Sequence, residues 1–262
     1  MDVPARWADL VRRPEPEVPL DEAALLISAA ADPGLDVDAQ MARLDDLGAR
    51  VGSDEPDAVS RLLFGELGLR GDRDGYYQPV NSYLDRVLDR GLGIPITLAV
   101  LLVEVGRRAG VVLEAVGMPG HFLVRDPARP GTLIDPFDAG RPLDMAGCER
   151  LLHQTTGATA RLTPEMLAAT GAHAVLARML ANLDRAFEMA QDRRSLSWVC
   201  DLRLALPAAT MGDRTQLAGR LASLGRLDVA ASVLEQVAGA VTSERVRARL
   251  VEQAGTFRAR LN

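Results

Sequence analysis

The chain has 262 residues, 48% of them apolar, which is ample for a core in one large domain or two modest ones. Its net charge of −6 gives no broad attraction to phosphate backbones or anionic lipid, so neither nucleic acid nor a membrane is an expected partner. The two cysteines, Cys148 and Cys200, lie far apart without a CxxC or a Cys/His cluster; no metal, cofactor or disulfide framework is expected, and a reducing compartment fits best.

The first residues, MDVPARWADLVRRPEPE, lack the apolar core of a signal peptide, and no apolar run reaches the ~18 residues of a membrane span, so a cytoplasmic protein is expected. Pro4, Pro14, Pro16 and Pro19 make residues 1–19 a flexible or loosely docked leader, with Trp7 and Leu10 available to pin it. A core region is expected over 20–155. Asp21 is placed to cap a helix through Ile27 that Pro33-Gly34 ends, and Asp38 to Val51 reads as a second helix with Met41, Leu44 and Leu47 on one face. The acidic residues Asp36, Asp38, Asp45 and Asp46 lack the Gly and Glu placement of a calcium loop and read as a solvated face. Ser53 to Gly68 supplies a third helix, and Gly71 to Gly75 a polar loop. All three tyrosines, Tyr76, Tyr77 and Tyr83, follow with Asn81; they suit either a partly wet cleft or the packing of a helix start.

Gly93 and Pro95 disfavour helix before Ile96, whereas Leu98, Leu101, Leu102 and Val105 have helical spacing, so a helix should begin near Ile96 or Thr97. Three strand-like runs come next: Val112 to Val116, Phe122 to Val124 after Met118-Pro119-Gly120, and Thr132 to Ile134 after Pro127 to Gly131. If the last two close as a hairpin centred on Ala128 to Pro130, an even register puts His121 and Asp135 on one face as diagonal neighbours ~7–8 Å apart at the backbone. A carboxylate that orients an imidazole is an acid/base pair. The alternative is that both are turn residues, the His after Pro-Gly and the Asp before Pro-Phe.

Gly93-Ile94-Pro95-Ile96-Thr97-Leu98, Arg107-Arg108-Ala109-Gly110, Pro119-Gly120-His121-Phe122-Leu123-Val124 and Ile134-Asp135-Pro136-Phe137, with Tyr83-Leu84 and Val87-Leu88 upstream, resemble the transglutaminase-like superfamily, related to papain-type enzymes, and more closely its bacterial SirB-type branch. The resemblance covers roughly residues 20 to 145; Pro-Gly-His-Phe-Leu-Val is its specific string. It implies an α+β core with a small antiparallel sheet, a His121–Asp135 pair, and a cleft with Tyr76, Tyr77, Asn81, Tyr83, Gly93, Pro95, Gly120, Phe122 and Phe137. Active members carry a cysteine at the first turn of the central helix, and counting back from Gly110 puts Ile96 there. Ile96 has no nucleophile, and Thr97 offers only an unactivated hydroxyl.

Pro142 to Leu152 reads as a short helix, with no base near Cys148 in sequence. A boundary is expected over 155–162, then an all-α region over 163–262. Thr163-Pro164-Glu165 should start a helix running to about Ala190; His173 on it, like His153 before it, reads as packed or solvated. Further helices are expected over Ser195 to Leu206 with Trp198 inward, Asp213 to Leu224, Leu227 to Val237 and Ser243 to Leu261. The spacing from Leu217 to Leu234 resembles one to two tetratricopeptide units, too few for a free solenoid, so these helices should pack on the core. Two functions follow: a non-catalytic interaction or regulatory protein with a protein or peptide partner, or a hydrolase or acyl transferase in which Thr97 or a water works with His121 and Asp135.

Overall fold

The structure, a computed structural model, describes residues 2–129, 131–157 and 161–261. Five helices come first: α1 (Val3–Val11), α2 (Leu20–Ala31), α3 (Val37–Val51), α4 (Pro56–Ser60), which runs into a π-helical turn at Arg61–Glu66, and α5 (Leu84–Arg90). Two short strands, β1 (Arg70–Gly71) and β2 (Leu92–Gly93), pair in parallel and bring the tyrosine loop beside the start of α6 (Pro95–Arg108). Strands β3 (Glu114–Val116), β4 (Leu123–Arg125), β5 (Leu133–Asp135) and β6 (Arg141–Leu143) follow as an antiparallel sheet in sequence order. The chain closes with α7 (Met145–Thr156), α8 (Ala172–Met189), α9 (Arg193–Ala205), α10 (Met211–Ser223), α11 (Leu227–Ala240) and α12 (Glu244–Ala259).

The central helix α6 is apolar nearly all round, so it can only be a core helix, and Leu98, Leu101, Leu102 and Val105 are fully buried. Each such side chain contributes about 1.5–3 kcal/mol by leaving water. The sheet divides by strand periodicity. Ala115, Val124 and Ile134 face the core of α6, while Val116, Leu123, Leu133 and Leu143 face Cys148 and Leu152 of α7. The helix α7 therefore covers the second face of the sheet.

Several local expectations change. Residues 3–11, expected in a loose leader, form a helix with Trp7 fully buried and its Nε1–H donating to the Leu202 carbonyl at 3.0 Å. Asp21 is not a cap: Pro19 precedes the first turn, and the Asp21 carboxylate is buried against Arg107 and Arg108 at 3.0 and 2.6 Å. Part of the segment expected to open a short helix at Pro142 is strand β6; Pro142 is tolerated because β6 lies at the sheet edge. The helix expected from Thr163 breaks into a 3-10 turn, Pro164–Leu167, and α8, because Ala169 bridges to Val116 between them. Pro130, at the expected hairpin centre, and residues 158–160, in the expected boundary, lie outside the described residues.

That boundary does not divide the core. Val175, Leu176, Met179, Leu180 and Leu183 of α8 and Val199 and Leu202 of α9 share one cluster with Trp7, Leu25 and Leu101. Helices α10 to α12 bury their own cluster around Leu221, Leu234 and Leu250, linked to the first through the partly buried Leu224.

Candidate functional site

Strands β4 and β5 pair with Val124 opposite Ile134 and Arg125 opposite Leu133. That register is even, so His121, two residues before Leu123, lies diagonal to Asp135 on the same face of the sheet. The side chains meet: His121 Nε2 is 2.9 Å from Asp135 Oδ1, and both residues are buried. Asp135 Oδ1 also accepts from the backbone N–H of Phe137 at 3.0 Å, so one carboxylate closes its own turn and holds the ring. An Nε2–H given to a carboxylate leaves the lone pair on Nδ1, which has no hydrogen-bond partner among the described residues. Phe137 packs edge-on against the imidazole, with ring centroids 5.9 Å apart.

The turn before the imidazole is fixed from several sides. Gly120 has φ +75, and a Cβ there would press on Thr155 of α7, so both conformation and space call for glycine. The Arg178 guanidinium donates to the carbonyls of Met118 and His121, and Thr170 Oγ1 accepts from the Gly117 N–H at 2.7 Å. Behind the tyrosines, a Cβ on Gly71 would run into the Phe137 ring.

These elements enclose a cleft of about 660 Å³, lined by the tyrosine loop, the start of α6, the His121 turn, the end of α7 and one side of α8. Tyr76, Tyr77, Pro95, Gly120, Phe122 and Phe137 line it together with His121, Asp135 and Ile96. Asn81, Tyr83 and Gly93 do not. Asn81 is fully buried behind the wall: its Nδ2 donates to Asp72 and the Gly75 carbonyl, its Oδ1 accepts from Arg90, and its own carbonyl accepts from Thr97. Tyr83 is buried ahead of α5, its phenol pushed up by that burial, and Gly93 belongs to β2.

Thr97 is also outside the cleft lining. Its hydroxyl donates to the Asn81 carbonyl at 2.8 Å and accepts from the Ile94 N–H at 3.2 Å, so it caps α6 from a fully buried position. Ile96, the second residue of α6, lines the cleft instead. Cys148 is fully buried beneath the sheet, and burial, then Asp144 and Asp135, push its thiol up to about 11. Among the described residues no group of three or more His, Cys, Asp or Glu could hold a metal ion, and no helix is long and apolar enough to cross a membrane.

One wall escaped the sequence reading. Arg178, Asn182 and Arg185 of α8 line the cleft at positions i, i+4 and i+7. A polar stripe on an otherwise apolar helix was the available signal, but it reads equally as a solvated face.

A helix capped behind the cleft, a sheet delivering a His–Asp pair, and a covering helix make an α+β core with a small antiparallel sheet. The chain belongs to the transglutaminase-like superfamily, whose family model matches residues 34–181. It is similar to a UPF0162 protein of Xylella fastidiosa (strain Temecula1), 37% identical over 190 residues and covering 68% of each chain. A UPF0162 protein of Vibrio cholerae is 32% identical over 152 residues, 56% of this chain and 55% of its own. F-box only protein 21 of Mus musculus is 36% identical over 136 residues, 48% of this chain and 21% of its own. No solved structure matches the chain at a significant level.

Proposed function

We propose that this is a non-catalytic interaction or regulatory protein of the SirB-type branch, which uses the cleft to bind a protein or peptide segment in the cytoplasm. The observation that carries the reading is Ile96. It lines the cleft where the resemblance calls for a cysteine, while Thr97 has its hydroxyl engaged behind the wall and Cys148 lies buried beneath the sheet. Covalent acyl transfer needs a nucleophile within reach of a base, and at that position the cleft shared with the His–Asp pair carries a hydrocarbon branch. The cleft suits a chain segment, because apolar and aromatic walls alternate with polar tips. The SirB-type assignment rests on the Pro119-to-Val124 string and on Gly93 to Leu98.

A second reading is supported by the unpartnered His121 Nδ1: an imidazole oriented by Asp135 can take a proton from a bound water and drive direct hydrolysis. Purified protein assayed against generic ester and amide substrates, with His121→Ala as the comparison, separates the two. No turnover above background in either protein is expected. Robust turnover that the substitution abolishes overturns the non-catalytic reading.

A further inference from the structure

Four arginines line the cleft, Arg73, Arg141, Arg178 and Arg185, against two aspartates, Asp135 and Asp138, although the whole chain carries a net charge of −6. Both carboxylates are engaged within the site. Asp135 holds the imidazole and a backbone N–H. Asp138 is shared between Arg73 at 3.0 Å and Arg141 at 2.8 Å.

The arginines of α8 are different: among the described residues neither Arg178 nor Arg185 has a carboxylate partner. Arg178 is half-buried, its guanidinium 4.3 Å from the Phe122 ring centroid and donating only to carbonyls; burial pulls its pKa down. Arg185 is exposed, with its guanidinium 5.1 Å from the Tyr77 centroid. The neighbouring acids on α8 are committed elsewhere, Asp184 to Arg203 and Arg220, and Glu188 to Arg220. Tyr77 in turn packs edge-on against Tyr76, with ring centroids 5.2 Å apart, and both guanidiniums oppose the rise that burial, then Tyr77, impose on the Tyr76 phenol. A cation half-removed from water without a counter-ion is where an incoming carboxylate gains most, and the guanidinium fork matches that group.

We propose that Arg178 and Arg185, with the rings of Tyr76 and Tyr77 lining the same cleft, form a carboxylate subsite, and that the cleft takes an acidic protein segment whose Glu or Asp side chains face α8. The proposal rests on the reading of the cleft as a peptide site. A segment fits better than a small anion because the cleft far exceeds the space of one carboxylate. Its lining runs on from α8 to the half-buried Phe137 and the start of α6, a reach that a longer ligand matches.

The test uses the full chain and three pools of labelled heptapeptides, randomised at alternate positions and carrying Glu, Gln or Lys at the others, read by fluorescence anisotropy. The Glu pool should bind about fivefold or more tighter than the Gln pool, with Lys weakest, and added salt should shrink that advantage. Arg185→Gln should remove most of the preference for Glu over Gln; its exposure makes it a cleaner probe than Arg178, which also holds the His121 turn. Equal binding of the Glu and Gln pools overturns the acidic preference and leaves the peptide-site reading intact. Binding of no pool overturns both. Displacement of the Glu pool by inorganic phosphate as effectively as by the unlabelled pool assigns the arginines to a simple anion and also refutes the proposal.

Discussion

Replacing Ile96 by Cys puts a thiol at the second residue of α6, on the cleft that His121 also lines. Two influences oppose each other there. Burial raises a thiol: Cys148 and Cys200, both fully buried, are pushed from an ordinary 9.0 up to about 11. In the other direction, the helix start favours a thiolate by up to about 1 kcal/mol, roughly 0.7 of a pH unit. A cation within ~4–6 Å of a thiol favours the thiolate by about 1–3 units more, and His121 lines the same cleft as Ile96. The introduced thiol should therefore titrate about 1–3 units lower with His121 present than in the double variant Ile96→Cys/His121→Ala. The assay is the pH dependence of iodoacetamide alkylation, with the modified residue located by mass spectrometry; position 96 lines the cleft and Cys148 and Cys200 do not, and wild-type protein gives their background. The loss of apolar volume costs roughly 1–2 kcal/mol, small enough to leave the fold intact. Identical pH profiles in the single and double variants would refute an influence of the imidazole on position 96 across the cleft.

Thr97→Val removes a buried cap whose hydroxyl serves both the Asn81 carbonyl and the Ile94 N–H, so it should cost about 1–3 kcal/mol in chemical denaturation, with Thr97→Ser close to wild type. Equal stability of Thr97→Val and wild type would deny the capping role. Trp7→Ala should cost about 3–5 kcal/mol, since Trp7 is fully buried and bonds Leu202 from the far end of the sequence; a loss under about 1 kcal/mol would return α1 to a loose leader. Glu104 is pushed up to about 7, by burial first and by Asp21 next, while an unfolded glutamate ionises near 4.5. The native state therefore keeps the extra proton across that window. Its contribution to stability is full below pH 4.5 and is lost as pH rises through 7, with a slope of up to about 1.4 kcal/mol per unit. Glu104→Gln should flatten that limb of the melting profile, and an unchanged limb counts against a Glu104 carboxyl raised by burial and by the charge of Asp21.

The sheet and its site pair were legible because they follow from local rules. Breakers at Pro119-Gly120 and around Pro127 to Gly131 delimit short strands, and a period of two decides which side chains share a face. Capping was less legible. Asp21 looks like an N-cap, but it lies inside the first turn that Pro19 precedes, and only the folded chain brings Arg107 and Arg108 within reach of its carboxylate, which also accepts from the Glu22 N–H at 2.8 Å. The leader was misjudged for a related reason. Proline density describes residues 12–19, but the order of α1 comes from Trp7 meeting Leu202, a contact between residues far apart in the chain.

Helix α8 joins the two halves of the molecule through contacts of the same long-range kind. Its apolar side, Val175, Leu176, Met179, Leu180 and Leu183, lies in the main core beside α2 and α6, while its polar side forms a wall of the cleft. His173 near its start is 2.7 Å from the Val11 carbonyl and 2.8 Å from Glu15, which ties the N-terminal segment to the helix that holds the His121 turn. The cleft is thus built from both sides of the expected 155–162 boundary, and a chain truncated before α8 would lose Arg178, the carbonyl contacts at Met118 and His121, and most of one wall. Such a truncation should leave the His121 turn without its support and expose the apolar surface of α6. A product that kept a fixed His121–Asp135 pair by NMR would show that the sheet alone suffices to hold the site.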